Sequence, residues 1–353
     1  STPPVVVMLS GPPCCTASCR AGPCCAVPNW AIAWGRRRSP AGVARTTRSE
    51  RTAGRADTSG AGKEKVFLFS YFKGNGEDGL HLAYSMDGYT FTTLNNDKSF
   101  LKPVVGTSKL MRDPCIIRTG DGTFHMVWTA GWTERGIGYS SSRDLINWSE
   151  QKYFMVMDKE PSARNTWAPE IFFDKKTKQF LIFWATTIPG RFPDTEKTGD
   201  TGYNHRIYYV TTRDFITFSE TKLLYDHGFN VIDATIIRNK KRYFMFLKDE
   251  TRNPPQKNIR LASSSDLYGP YSPPSNPITG NYWAEGPTPL KTGKKWIVYF
   301  DKYVDHKMGA VMSTDLINWK DISEKVTFPE GARHGTMFEA DSKILEKLLK
   351  TGK

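Results

Sequence analysis

Long apolar runs are missing from this 353-residue chain. None approaches the roughly 18 residues of a membrane-crossing helix, so a helical membrane span is not expected. Histidine is scarce, six residues scattered singly, and supplies no ligand spacing of its own for a metal. Beyond residue 65 only one cysteine remains, Cys115, which has no partner nearby in sequence and reads as a buried thiol. Helix signals are few before "DSKILEKLLK" (Asp341 to Lys350), a candidate short terminal helix. The chain opens neither on Met nor on a charged stretch with an apolar core and a small-residue cleavage site. Its route in the cell is therefore not legible from the N-terminus.

What is there divides in two. Residues 1–65 carry Cys14, Cys15, Cys19, Cys24 and Cys25 among many Pro, Gly, Ala, Ser and Arg, with no sustained period. They hold 10 Lys and Arg against 3 Asp and Glu, more than half of the net charge of +13. The cysteine cluster fits no zinc spacing, and "GRRRSP" is the one stretch suited to nucleic acid. This composition reads as a disordered or artefactual leader. Nucleic acid is not an expected partner of the remainder, where charge is nearly balanced. With 13% aromatic residues the chain can build a globular core.

Five segments then repeat one pattern: a strand, small polar residues, Asp, and an aromatic a few positions on. They are "LHLAYSMDGYTF", "IGYSSSRDLINW", "IYYVTTRDFITF", "IRLASSSDLYGPY" and "GAVMSTDLINW". Their aspartates, Asp87, Asp144, Asp214, Asp266 and Asp315, can each accept backbone N–H bonds within a turn, a structural role. Between them lie paired apolar runs such as "IDATIIRNKKRYFMF", joined by hairpin linkers. Each unit predicts four short antiparallel strands in a meander, at the repeat size of a propeller blade. Complete units span 112–150, 167–220, 232–273 and 283–321. Residues 66–93 and the strand at 333–338 together make a fifth blade, whose closure hides edge strands. The expected fold is all-β: a five-bladed β-propeller of four-stranded blades over residues 66–340. A short helix or tail over 341–353 follows.

The first strand of each blade lines the central channel, and its leading residue faces one mouth. Asp113, Glu170, Asp233 and Glu285 stand at equivalent positions of four blades, and Arg333–His334 at the fifth. Converging carboxylates repel, which raises the pKa of at least one. Two carboxyl groups across a concave pocket are the equipment of glycoside hydrolysis, one protonating the leaving oxygen while the other acts on water or on the sugar. Trp128, Trp132, Trp167 and Trp283 lie beside the acidic positions and are candidates for stacking on sugar faces, with core packing the alternative for each.

These motifs resemble the five-bladed glycoside hydrolases of family 43, a group of inverting arabinanases, arabinofuranosidases and xylosidases. The resemblance runs from Val66 to Phe338. It implies that Asp113 of "RDP" is the general base, Asp233 of "IDA" the residue that modulates the acid's pKa, and Glu285 of "EGP" the general acid. "WAPE" (Trp167 to Glu170) is similar to a stretch beside the substrate pocket. "RHGT" is similar to a closing element that supplies a substrate-binding Arg or a His near a central metal. Arg112 of "RDP" and Trp283, beside "EGP", complete the substrate-binding candidates. Three departures stand out: Arg112 where a His often precedes the base, Ala234 where Pro follows the modulator, and Glu170 where many members have Asp.

The resemblance implies an inverting, exo-acting glycosidase releasing arabinofuranose or a related pentose or furanose from polysaccharide side chains. Its partner would be an oligo- or polysaccharide, with no nucleic acid and no membrane, and the chain a monomer. No cofactor is required; the resemblance allows a structural calcium in the channel, with His334 the candidate contact. It also implies a secreted or periplasmic location. A retaining fructan-type hydrolase shares five blades and an Arg-Asp-Pro, but the expected Asn-Asp-Pro-Asn-Gly is missing. A non-catalytic sugar-binding propeller would not need the acid–base set, all of which is present.

Overall fold

Short β-branched and aromatic runs separated by Gly, Asn and Asp turns fold here as antiparallel meanders. The computed structural model describes residues 65–352, so the expectation for the leader lies, but for Lys65, outside the described residues. Strands β1 (Lys65–Tyr71), β2 (His81–Ser85) and β3 (Thr92–Thr93) open the chain. The second blade follows as β4 (Arg112–Arg118), β5 (Phe124–Thr129), β6 (Ile137–Ser142) and β7 (Lys152–Phe154). The third is β8 (Trp167–Asp174), β9 (Gln179–Thr187), β10 (His205–Thr212) and β11 (Lys222–Tyr225). The fourth is β12 (Val231–Asn239), β13 (Arg242–Asp249) and β14 (Asn258–Ser264). The fifth is β15 (Glu285–Thr292), β16 (Lys295–Lys302), β17 (Lys307–Ser313) and β18 (Lys320–Asp321). Strand β19 (Gly335–Asp341) and helix α1 (Ser342–Leu348) end it.

The terminal strand completes the first blade, in the order β19-β1-β2-β3. It pairs antiparallel with β1 from Lys65 opposite Asp341 to Tyr71 opposite Gly335, as the sequence predicts. The inner strands β19, β4, β8, β12 and β15 each pack on the next, and β15 packs on β19, so the ring closes. Pairing with β19 covers the edge of β1, and closing the ring buries the two blade faces an open array would expose. Five apolar clusters stand one at each interface between blades. This two-sided burial explains why middle strands such as β9 (QFLIFWATT) are almost continuously apolar.

Four blades have four strands; the fourth blade has three regular strands. Its outer place is taken by residues 271–279, where Pro273, Pro274 and Pro277 lack the N–H a ladder needs. The segment attaches at intervals instead, Ser272, Ser275 and Ile278 donating to Ser263, Leu261 and Ile259. The repeated aspartates are turn formers: Asp144 Oδ1, for example, accepts from the Ile146 and Asn147 amides at 3.0 and 2.8 Å. Helix α1 buries Ile344, Leu345 and Leu348 in the same cluster as Val66 and Leu68. No helix among the described residues is long and apolar enough to cross a membrane.

Candidate active site

Four inner strands begin with the same defect. Register slips by one residue between Arg112 and Cys115, Trp167 and Glu170, Ile232 and Thr235, and Glu285 and Thr288. Each bulge holds one residue in the left-handed region: Asp113 (φ 52°), Ala168 (45°), Asp233 (51°) and Gly286 (60°). Asp tolerates that conformation better than most residues with a Cβ. Asp113 and Asp233 are therefore true equivalents, and the bulge re-aims both into one mouth of the channel. Glu285 precedes its bulge residue, and Glu170 follows its own by two. The expectation that all four carboxylates share one repeat position is thus corrected: they occupy three positions of one motif.

The displacement decides where each acid points. Asp113, Asp233 and Glu285 line a cavity of about 450 Å³ together with Arg112, Trp167, Arg333 and His334. Glu170 does not. It faces the opposite end of the channel beside Cys115 and accepts from Thr235 Oγ1 at 2.9 Å. Burial raises its carboxyl to about 7. Trp283 also falls outside the cavity lining and stands behind Tyr303, with ring centroids 6.0 Å apart. Trp128 is wholly buried core, its ring closed over by Gly138. Trp132 and Trp167 meet edge to face at 5.5 Å and form the aromatic wall, extended by Tyr203. Trp132 is 46% exposed, and Arg112 lies over its ring.

The three acids differ in their surroundings. Asp113 Oδ2 accepts from Thr129 Oγ1 at 2.8 Å, and Oδ1 lies 3.3 Å from His334 Nδ1. Burial works to raise this carboxyl, but the His334 bond and charge, with Arg112 and Thr129, outweigh it and hold it at about 2. Asp233 Oδ2 accepts the Gly286 amide at 3.0 Å, and burial, with the Glu285 charge adding to it, lifts Asp233 to about 7. Glu285 is gripped by Lys248 Nζ at 3.0 Å from Oε2 and Arg333 Nη2 at 3.1 Å from Oε1. Burial pushes Glu285 upward, yet these two cations outweigh it and pull it below its ordinary value. Burial first, and the Glu285 charge after it, thus raise Asp233, while Lys248 and Arg333 favour the ionised form of Glu285. In an interacting pair the proton belongs to both groups.

The cations are themselves anchored. Lys248 lies opposite Ile232 in β13, wholly buried, and also meets Glu250 Oε2 at 2.6 Å. Lys257 continues the chain, bonded to Glu250 at 2.5 Å and to Asp200 at 2.6 Å. Arg333 Nε bonds Asp301 at 2.7 Å. Lys248, Asp301, Thr129 and Asn75 went unmarked in the sequence because they come from middle strands or a hairpin loop, outside the repeated inner-strand position.

His334 fills the floor. Burial disfavours its imidazolium, but the surrounding carboxylates Asp113, Asp233 and Glu170 raise it to about 9. The donors below it do not suit calcium, which takes six to eight oxygens, mostly carboxylate and carbonyl. They are one carboxyl whose ionisation burial opposes (Glu170), a thiol held protonated by burial (Cys115) and the Thr235 hydroxyl. Among the described residues no group of three or more His, Cys, Asp or Glu is placed to hold a metal ion. A Cβ at Gly286 would stand 2.3 Å from His334 Cγ, and its φ is positive. Gly286→Ala is therefore expected to lower stability by about 2–4 kcal/mol, overpacking and backbone strain combined, read by thermal denaturation.

Residues 63–343 match the family model described as a probable glycosyl hydrolase domain, a relation of glycoside hydrolase family 43. The chain belongs to this family. An α-L-arabinofuranosidase of Bifidobacterium longum subsp. longum is 28% identical over 250 residues, covering 59% of this chain and 23% of that protein. The chain thus spans under a quarter of the length of that curated relative. Among solved structures, a thermostable family-43 glycoside hydrolase is 17% identical over 60% of this chain and 71% of its own, with a TM-score of 0.46. An α-L-arabinofuranosidase from Lactobacillus brevis is 18% identical over 60% and 72%, with a TM-score of 0.47. In this family 43 relative the carboxylates that carry the motif resemblance, Asp113, Asp233 and Glu285, all face one pocket.

Proposed function

We propose that this family 43 chain is an inverting, exo-acting glycosidase that removes an arabinofuranose or a related pentose or furanose from a polysaccharide side chain. The observation that carries the reading is the convergence of Asp113, Asp233 and Glu285 on one pocket, in surroundings that push their ionisation apart. Asp113 is held as a carboxylate on one side, while the Asp233–Glu285 pair keeps a proton near neutral pH on the other. Groups pushed apart in this way divide into base and acid. Asp113 takes a proton from water as that water attacks the anomeric carbon. Glu285 protonates the departing oxygen, and Asp233 is the reservoir from which the pair's proton is shared. For that transfer the grip of Lys248 and Arg333 on Glu285 has to loosen when substrate enters. Trp132, Trp167, Tyr203 and Tyr303 line the same cavity and offer aromatic surface to the sugar. The arabinofuranosidase relative favours arabinofuranose among the pentoses. A secreted or periplasmic location suits a polysaccharide substrate.

A panel of aryl arabinofuranoside, xyloside and galactofuranoside substrates identifies the sugar. Proton NMR of the first-formed product should then show the anomer opposite to the substrate's. Retention of configuration would remove the inverting assignment, and activity on none of the panel would remove the pentose or furanose assignment.

A further inference from the structure

We propose that Asn75 is a substrate-binding residue whose side-chain amide donates hydrogen bonds to a hydroxyl oxygen of the sugar in the pocket; this deepens the glycosidase reading above and rests on it. Asn75 lies in the loop between β1 and β2 and lines the cavity beside Arg112 and Trp132. Its Oδ1 accepts from Arg112 Nη1 at 2.9 Å and from Trp132 Nε1 at 2.9 Å. Guanidinium and indole nitrogens can only donate. The oxygen of the amide must therefore face them, and a flipped amide would set N–H against N–H on both contacts.

Neither partner is free to swing away. The Arg112 guanidinium lies 4.7 Å from the Phe72 ring centroid and 4.2 Å from that of Trp132, held between the two faces. It also has no carboxylate partner within ion-pair distance among the described residues. Trp132 is tied in turn by its carbonyl, which accepts from Trp167 Nε1 at 2.8 Å. With Oδ1 so fixed, Nδ2 is the remaining polar atom of the Asn75 side chain, and it donates to no described residue. One wall of the pocket, next to the base Asp113, thus offers N–H donors, while Asp113, Asp233 and Glu285 offer oxygens. A sugar hydroxyl both donates and accepts, and it can satisfy the two walls at once. An ether or a methylated position, lacking the O–H, meets only one.

The test uses the full chain and whichever aryl glycoside the wild-type enzyme cleaves. Asn75→Asp keeps acceptors for Arg112 and Trp132 but has no N–H to give, and Asn75→Ala removes both. Each is expected to raise KM about tenfold or more, with kcat the smaller change, as for an interaction made alike in ground and transition states. Deoxy analogues of the same glycoside locate the hydroxyl. One deoxy position should weaken the wild-type enzyme about tenfold and cost Asn75→Asp nothing further. Calorimetric titration with L-arabinose, D-xylose and D-galactose reads the same contact without turnover. Folded variants with wild-type KM, or that bind the free sugar as tightly as wild type, would overturn the assignment. A wild-type protein that binds one of these sugars more tightly than Asn75→Asp yet cleaves no glycoside would uphold the contact while the glycosidase reading fell.

Discussion

Glu285→Gln is expected to lower kcat by about 10²–10⁴-fold on substrates with poor, sugar-like leaving groups, the usual contribution of a positioned general acid. The amide has the shape of the carboxyl and no proton to give, so the departing oxygen must leave as an alkoxide. Aryl glycosides with acidic phenols leave without help, and their loss should stay within about tenfold. Two features of the site sharpen this expectation. Lys248 and Arg333 bond the two carboxylate oxygens separately, so a glutamine must turn its NH₂ toward one of the cations. Some loss of positioning will accompany the loss of the proton, and it should fall on both substrate classes alike. The ratio of the two losses, measured in one series of leaving groups, therefore isolates acid catalysis. An equal loss on both classes, or undiminished turnover of natural oligosaccharides, would take the acid role away from Glu285.

The role of Lys248 in that expectation was not legible in the sequence, and the reason is instructive. The blades, their number and their closure follow from local signals: paired apolar runs, Asp turns with fixed bonding, and unmatched pieces at the two ends. Such patterns carry the fold because each is decided within a few residues. The direction of an inner-strand side chain is not decided locally. One extra residue turns every later side chain to the other face, and the four bulges slip the register by that amount. Asp113 and Asp233 sit on the bulge and turn into the pocket, whereas Glu170, two residues past it in its own blade, is sent down the channel. Counting acids along the sequence placed all four together; only the bulge separates them. Lys248 and Asn75 were hidden for a second reason. A buried lysine inside "RYFMFLKD" breaks an apolar strand without revealing its partner, which comes from the next blade. Asn75 lies in a glycine-bearing loop whose composition is that of any turn.

Asp113→Asn should lower kcat by about 10²–10⁴-fold on every substrate, good leaving group or poor. Water must lose a proton as it attacks whatever departs, so the loss should be flat across the leaving-group series in which Glu285→Gln slopes. The carboxylate is well prepared for this work: at about 2 it is ionised throughout the working range. The acid limb of kcat/KM in the wild-type enzyme therefore does not arise from Asp113 above about pH 3. On this assignment of roles the alkaline limb is expected to follow the proton shared by Asp233 and Glu285, with Asp233 raised to about 7. Activity is present while that proton is bound and is lost as pH rises through this value. Asp113→Asn should keep this descending limb at its much reduced rate, because the acid side is intact. Azide supplies a nucleophile that needs no deprotonation. Added to Asp113→Asn with an activated aryl substrate, it should restore turnover and yield a glycosyl azide of inverted configuration. An azide product of retained configuration, or a loss that grows as the leaving group worsens, would show that Asp113 is not the base.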